Sequence, residues 1–108
     1  MNSDSAVVAL TALAQSSRLA IFRLLVTSGS DGISAGKIGQ ELSLPAATLS
    51  FHLKELSHAG LISQERQGRN LIYRAAFDTM NALLAYLTEN CCEGQACTPD
   101  GAAASCHC

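Results

Sequence analysis

All five cysteines of this 108-residue chain lie within its last eighteen positions. They are Cys91, Cys92, Cys97, Cys106 and Cys108, and the residues that precede them contain no thiol. Clustered thiolates select soft or borderline ions. An odd number of cysteines, in a chain that we expect to stay in the reducing cytoplasm, disfavours a disulfide framework. The chemistry that these residues predict is therefore coordination by sulfur.

Cys91, Cys92 and Cys97 are the candidate ligands of one site. The first two stand side by side at the end of a predicted helix, and a loop that contains Gly94 can return the third to them. Three sulfurs would then meet around one ion. Cys106 and Cys108 are a possible second site for a soft metal; alternatively they pass metal inward or have no role.

Three other interpretations of the thiols remain open. Zinc accepts Cys and His ligands in a tetrahedron, although the adjacent Cys91 and Cys92 are awkward ligands for a single tetrahedron. A disulfide between Cys97 and either of them would make a redox switch. A tail that only buffers metal would be a protein of a different class. An enzyme is not expected, because no Cys-x-x-Cys follows a strand.

The rest of the composition indicates one small folded domain. A chain of this length can form one modest core, and 48% hydrophobic with 15% charged residues is typical of a globular protein. The apolar stretch "AVVALTALA" is too short to span a bilayer and lacks the basic flank of a secretory signal. We expect a cytoplasmic protein without a membrane partner, folded over residues 1–90, with a flexible cysteine-rich tail over 91–108.

Charge is unevenly distributed along the chain. The net charge of -2 argues by itself against a nucleic-acid partner, yet residues 34–74 carry five basic and three acidic side chains. Residues 75–108 carry four acidic side chains and no Lys or Arg. Such asymmetry favours a basic working surface and a separate acidic end.

Two helices are predicted before residue 30. Residues 5–15 are apolar around most of the helix circumference, which predicts burial on every side and hence a second subunit that covers this helix. The next helix has Ser16 or Ser17 as its predicted N-cap and Gly29 as its stop. Arg18 lies off its apolar stripe, so we expect a solvated side chain there. The stripe itself is Leu19, Phe22 and either Leu25 or Val26.

A helix-turn-helix is predicted over the next thirty residues. Ser34 can cap a short helix that runs to about Ser43. Pro45 disfavours helix at the residue before it and suits the first turn of a new helix. That second helix covers residues 46–58 and is ended by Gly60. Two short helices joined by a tight turn are typical of this motif.

A β-hairpin and a last helix complete the predicted fold. Residues 61–76 contain strand-forming runs around "RQGRN", in which Gly68 and Asn70 take turn positions. A hairpin directly after a helix-turn-helix is a wing, so the predicted fold class is mainly α with a β-hairpin wing, a winged helix-turn-helix. The last helix, "FDTMNALLAYLTEN", has an apolar stripe of Phe77, Met80, Leu84 and Leu87, with Leu83 beside them.

The outer face of the second helix of the motif is the candidate surface for DNA. Its inner side carries leucines, and Phe51 lies on the opposite side, where a thymine methyl group in a major groove could cover it. Packing of Phe51 on the wing or on another subunit is the alternative. His52 lies toward the core and is interpreted as a structural, hydrogen-bonded histidine. The candidate DNA contacts are Lys37, Ala46, Ala47, Thr48, Ser50, Phe51, Lys54, Arg66, Arg69 and Asn70.

Three stretches follow a pattern found in a known family. "LSFHLKELSHAGLI" carries Ser-x-His-Leu-x-x-Leu-x-x-Ala-Gly-Leu, "RQGRNLIYR" carries Arg-x-Gly-Arg followed by Tyr, and "ALAQSSRLAIFRLL" places Arg18 in the usual position of a second helix. Over roughly residues 6–90 the chain thus resembles the ArsR family of metalloid-responsive winged-helix repressors. The resemblance implies a homodimer, built on the first and last helices, that binds an inverted-repeat operator and is released by an inducer.

Two departures from that family concern the sensor. Many arsenic-responsive members have Cys-x-Cys beside the start of the DNA-reading helix, where this chain has "ELSLP". Members that sense zinc use Asp and His on the last helix, where this chain has Asp78 and Glu89 but no histidine. The resemblance extends instead to an arsenite-responsive subset with a cysteine pair and a third cysteine after the last helix.

That resemblance implies a ligand for the tail. Trivalent arsenic (arsenite) or antimony (antimonite) would be held by Cys91, Cys92 and Cys97 in a three-sulfur pyramid and would act as the inducer, with no organic cofactor. The function so implied is a transcriptional repressor that leaves its operator when the thiols bind a metalloid. A zinc sensor of the same family and a thiol redox regulator remain the alternatives.

Overall fold

The computed structural model describes residues 1–89 of the chain. The predicted boundary of the folded domain at residue 90 and the predicted tail over 91–108 therefore lie outside the described residues. Five α-helices and three strands are present in chain order. The helices are α1 (Ser3–Leu13), α2 (Ser16–Ser28), α3 (Ala35–Leu42), α4 (Ala46–His58) and α5 (Phe77–Leu87), and the strands are β1 (Ile33–Ser34), β2 (Ile62–Gln67) and β3 (Asn70–Ala75).

The helix starts follow from local hydrogen bonds. The Ser34 hydroxyl accepts from the Lys37 N–H at 3.2 Å, which confirms the predicted cap of α3. The predicted N-cap of α2, Ser16 or Ser17, is wrong: the cap is the preceding residue Gln15, whose amide oxygen accepts from the Arg18 N–H at 2.8 Å. Glutamine is not among the favoured capping residues, so sequence preference alone points to the serines.

The core lies where α2 meets the helix-turn-helix. Its largest fully buried side chains come from α2, α3, α4 and the residue just before β2: Ile21, Leu25, Ile38, Leu56 and Leu61. The predicted stripe on α2 is partly wrong, since Leu19 is 44% exposed and Ile21 takes its place. At about 100° per residue, Ile21, Phe22 and Leu25 share one narrow arc that Leu19 does not join.

A three-stranded antiparallel sheet, in the order β1-β3-β2, forms the wing and its base. The strand β1 is an addition to the predicted hairpin: Ile33 pairs with Tyr73 and Ser34 with Ile72. Two residues are too few to show an alternating pattern in the sequence. The sheet reaches the core through Ile33, Ile62 and Tyr73, which are all buried.

The wing turn differs by one residue from the prediction. Gln67 pairs with Asn70, so Gly68 and Arg69 are the central residues of the turn and Asn70 begins β3. Gly68 has a φ of 63°, the positive value that hairpin turns of two residues demand. Arg69 therefore stands at the tip of the wing.

The two terminal helices keep apolar side chains on the outside. On α1 the small residues Ala6, Ala9 and Ala12 are buried, whereas Val7, Val8 and Leu10 are exposed. On α5 only Leu83 is buried; Leu84 and Leu87, which belong to the predicted apolar stripe, are 53% and 54% exposed. Helices α1 and α5 pack against each other. Within residues 1–89 no single helix is long and apolar enough to cross a membrane, and only the pair of α1 and α2, bent by 100°, meets the criteria of length and composition.

Gly32 allows β1 to approach β3 closely, and its replacement should be costly. A Cβ atom there would lie 2.7 Å from Ile72 Cγ2 and 2.8 Å from the Tyr73 carbonyl oxygen, at a φ of 73°. Gly29 has a similar φ of 65° but open space around it. We expect Gly29→Ala to lower the free energy of unfolding by about 1–3 kcal/mol through backbone strain, and Gly32→Ala to lower it further. Urea unfolding measures both, and equal losses would contradict the close contact.

Candidate nucleic-acid interface

The turn between α3 and α4 is tight because two backbones approach closely. Ser43 adopts the left-handed conformation, with a φ of 54°, and the Leu44 N–H donates to the Gly39 carbonyl at 3.0 Å. A Cβ atom on Gly39 would lie 3.2 Å from the Leu44 carbonyl oxygen. Pro45 then leads into α4 with extended backbone. These local restraints fix α4 across α3, as the predicted helix-turn-helix requires.

Helix α4 has two chemically different sides. Leu49, Leu53 and Leu56 are buried, which confirms the predicted inner side. On the outer side Ala47, Lys54 and His58 are exposed, and Phe51 among them is 56% exposed. Phe51 is thus the one large apolar side chain that α4 exposes.

The first turn of α4 presents backbone donors to solvent. Ala46, Ala47, Thr48 and Ser50 are exposed and small, so that another molecule can come close to the backbone. The N-cap residue Pro45 supplies no side-chain acceptor for the first N–H groups. Free N–H groups at a helix start, together with the helix dipole, favour phosphate and other anions.

A groove of about 480 Å³ runs between α3, α4 and the base of the wing. Ala46 and Ser50 of the candidate DNA contacts line it, together with Gly36 and Gln40 of α3 and Leu71 of β3. Gln40 is exposed and was not among the sequence-predicted contacts. Gln40 lies four residues after Gly36, so helical spacing places both on the same outer face of α3. This spacing could have added Gln40 to the candidate contacts.

The wing carries the remaining candidate residues. Arg66, Arg69 and Asn70 are all exposed on the hairpin. Arg74 has a different role: its Nη1 lies 2.8 Å from Glu65 Oε1, and its Nε donates to the Ser30 carbonyl at 2.7 Å. That ion pair is the only salt bridge within residues 1–89. Arg74 therefore ties the wing to the turn that follows α2 and is not a free positive charge.

All ten sequence-predicted DNA contacts are accessible. Ala46 and Ser50 line the groove, whereas Lys37 does not. The structure brings part of the set together on α4 and part on the wing. The ten candidate contacts, all exposed, are Lys37, Ala46, Ala47, Thr48, Ser50, Phe51, Lys54, Arg66, Arg69 and Asn70.

Arg18 and His52 form a link that the sequence did not reveal. Arg18 was expected to be solvated, but it is half-buried: its Nε donates to the Ala12 carbonyl at 2.7 Å, and its Nη1 lies 3.3 Å from His52 Nδ1. His52 is buried, which confirms the prediction of a core histidine with a hydrogen bond. Its ring meets the Phe51 ring edge to face, with centroids 5.7 Å apart.

The thiols lie outside the described residues. This applies to the candidate site of Cys91, Cys92 and Cys97 and to the second candidate site of Cys106 and Cys108. Within residues 1–89 no group of three or more His, Cys, Asp or Glu side chains is placed to hold a metal ion.

Residues 13–65 match a helix-turn-helix domain family. The chain is 32% identical over 91 residues to the HTH-type transcriptional regulator YgaV of Escherichia coli K12, covering 84% of this chain and 90% of that protein. It is 29% identical over 92 residues to the transcriptional activator HlyU of Vibrio cholerae, covering 85% and 82% of the two proteins.

Two solved structures share the fold. One is the homodimeric winged helix-turn-helix DNA-binding domain of a possible ArsR-family transcriptional regulator from Mycobacterium bovis, with a TM-score of 0.65 and 27% identity over 85% of each chain. The other is a possible transcriptional regulator for arsenical resistance, with a TM-score of 0.64 and 27% identity over 72% of this chain and 78% of that one. The predicted winged helix-turn-helix is confirmed.

The two sides of α4 should respond differently to truncation. Phe51→Ala removes a ring that is mostly in solvent, so we expect the free energy of unfolding to change by less than about 0.5 kcal/mol. Leu53→Ala on the buried side should cost about 2–5 kcal/mol. Urea unfolding of both variants measures the difference. A Phe51→Ala loss as large as that of Leu53→Ala would show that the ring packs within the fold.

Proposed function

This chain belongs to the ArsR-type helix-turn-helix transcriptional regulators, and we propose that it is a repressor that leaves its operator when trivalent arsenic or antimony binds to its C-terminal thiols. The observation that carries the DNA-binding part is the outer side of α4, where Phe51 and small polar residues are exposed while the leucines opposite are buried. The sensing part rests on the tail cysteines.

The exposed face suits the major groove of duplex DNA. A recognition helix reads bases mainly from its N-terminal half, which here holds Thr48 and Ser50 as hydroxyl donors and Phe51 as an apolar contact for a thymine methyl group. Arg66 and Arg69 on the wing would contact phosphates. Phosphate contacts orient the protein, and base contacts make it specific.

A homodimer accounts for the outward apolar side chains of the terminal helices. Val7 and Val8 on α1, and Leu84 and Leu87 on α5, are exposed although apolar, and the two helices are neighbours. A twofold dimer buries the same patch on both subunits and presents two reading helices to an inverted repeat. The related domain from Mycobacterium bovis is described as homodimeric.

The cysteine-rich tail follows α5 directly in the sequence. Helix α5 ends at Leu87 with Thr88 as its cap, and Cys91 follows three residues later. Three thiolates offer the soft ligand set that thiophilic ions require. Coordination by Cys91, Cys92 and Cys97 would constrain the segment next to α5 and alter how the two subunits meet. The metalloid shifts the equilibrium between the DNA-bound and the released form only by binding the released form more tightly. Coupling free energies between two such sites are typically about 1–3 kcal/mol, so we expect DNA affinity to fall about 5–150-fold.

Base contacts and phosphate contacts should be separable by mutation. With a duplex selected by the protein from a random pool, we expect Arg69→Ala to weaken binding to the selected and a scrambled duplex alike and to reduce the salt dependence. Ser50→Ala should instead lower the preference for the selected duplex. Fluorescence anisotropy at two salt concentrations measures both effects. A protein that selects no inverted repeat would contradict the repressor and leave a metal-buffering protein as the better account.

The proposed sensor is tested by single thiol substitutions. Serine has roughly the size of cysteine but no soft thiolate, so Cys91→Ser, Cys92→Ser or Cys97→Ser should each leave DNA binding intact and abolish release by arsenite. The matched control is the double substitution Cys106→Ser and Cys108→Ser, which should leave release largely unchanged. Titration of the reduced protein–DNA complex with arsenite measures release.

Each other outcome of that titration identifies a different sensor. A fully inducible Cys97→Ser protein contradicts the three-thiol site, and loss of response in the double variant places the sensor at Cys106 and Cys108. Release of the wild-type protein by zinc but not by arsenite indicates a zinc sensor, and release only by an oxidant indicates a redox switch.

A further inference from the structure

We propose that Arg18 is a positioning residue for DNA recognition, holding the reading helix α4 at a set orientation to α1 through His52. The inference rests on the proposed DNA binding and adds to it a residue that does not touch DNA. The observation that carries it is a single guanidinium group bonded to two different helices, at Ala12 of α1 and His52 of α4.

The proposed link requires one tautomer of His52. Arginine can only donate hydrogen bonds, so Nδ1 of His52 accepts from Nη1 of Arg18 across 3.3 Å and must carry a lone pair. The neutral ring then has its proton on Nε2. At the other end, Nε of Arg18 donates to the Ala12 carbonyl, which stands in the last turn of α1, where carbonyls have no donor within the helix. The positive charge also suits the negative end of the helix dipole.

Packing alone leaves the junction between α1 and α4 partly open. A cavity of about 230 Å³ lies there, bounded by Val8 and Ala12 of α1, by Glu55 and His58 of α4, and by Arg18 itself. A rigid fork with two charge-assisted bonds adds a directional restraint to the packing of these helices. From His52 the contact continues to the exposed Phe51 ring, whose centroid lies 5.7 Å away.

The expected consequence is a loss of specificity in a protein that still folds. If α4 can rotate relative to α1, its contacts with base edges are weakened first, because hydrogen bonds to bases depend on accurate placement. Contacts with phosphates tolerate small rotations. In the proposed dimer the same link would relate the reading helix to the helices that form the dimer interface. Arg18 would thus contribute to the coupling between the reading helix and the dimer interface.

Paired variants separate positioning from simple folding. Arg18→Gln removes the fork, and Arg23→Gln, an exposed arginine on the same helix, is its matched control. His52→Asn keeps an acceptor close to the place of Nδ1, whereas His52→Leu fills the site without one. The DNA probes are the selected duplex and its scrambled counterpart, at a temperature where circular dichroism shows every variant folded.

We expect Arg18→Gln and His52→Leu each to weaken binding to the selected duplex about tenfold, with little change for the scrambled duplex. His52→Asn and Arg23→Gln should bind as the wild type does. The double variant Arg18→Gln, His52→Leu should bind no worse than either single variant, because both remove one link. Equal losses on both duplexes, losses that add in the double variant, or failure of His52→Asn to retain binding would each overturn the proposal.

A measurement on the protein alone keeps this inference distinct from the proposed function. Imidazole nitrogen chemical shifts in NMR report the tautomer of His52, and we expect an unprotonated Nδ1 in the wild type and a changed signal in Arg18→Gln. A protonated Nδ1 would refute the link whatever the DNA result. A wild type that prefers no duplex would refute the proposed function and this inference with it, although the Arg18–His52 contact would stand as a structural one.

Discussion

The buried leucine side of α4 is the constraint on which the rest of the structure depends. Leu49, Leu53 and Leu56 face a core supplied mainly by α2, α3 and the start of β2, and burial of each such side chain is worth about 1.5–3 kcal/mol. That energy decides which side of the helix is left for solvent. The exposed ring of Phe51 and the small residues beside it are therefore held outward by the packing behind them, and a DNA-reading surface needs such rigid support.

Local signals were sufficient to predict the helix-turn-helix, whereas features set by distant contacts were missed. Ser34, Pro45 and Gly60 act within a few residues, so α3 and α4 could be placed from the sequence. The strand β1 forms only because β3 offers a partner, and its two residues have no pattern of their own. Helical spacing also cannot distinguish the core from an interface between subunits: Leu84 belongs to the predicted apolar stripe of α5 and is exposed in the single chain.

In the candidate site, too, features set by local sequence were predicted and those set by distant contacts were missed. The outward face of α4 follows from helical periodicity, and its six predicted contacts are accessible, as are the four on α3 and the wing. Arg18 and Arg74 are different, because their partners are 34 and 44 residues away along the chain, at His52 and Ser30. No local sequence pattern predicts hydrogen bonds between residues so far apart along the chain. The thiols of the tail remain a prediction made from residue chemistry and family resemblance, since the described part of the chain ends before them.

The central claim is that metalloid binding and DNA binding oppose each other in one molecule. Thermodynamic linkage makes this reciprocal: if arsenite weakens the affinity for DNA, DNA must weaken the affinity for arsenite by the same factor. The most direct test is to measure the arsenite dissociation constant of the reduced protein alone and when saturated with its selected duplex. The account predicts a constant about 5–150-fold higher on DNA. Equal constants would show that the tail binds metalloid without controlling the DNA-binding domain, and would contradict the account.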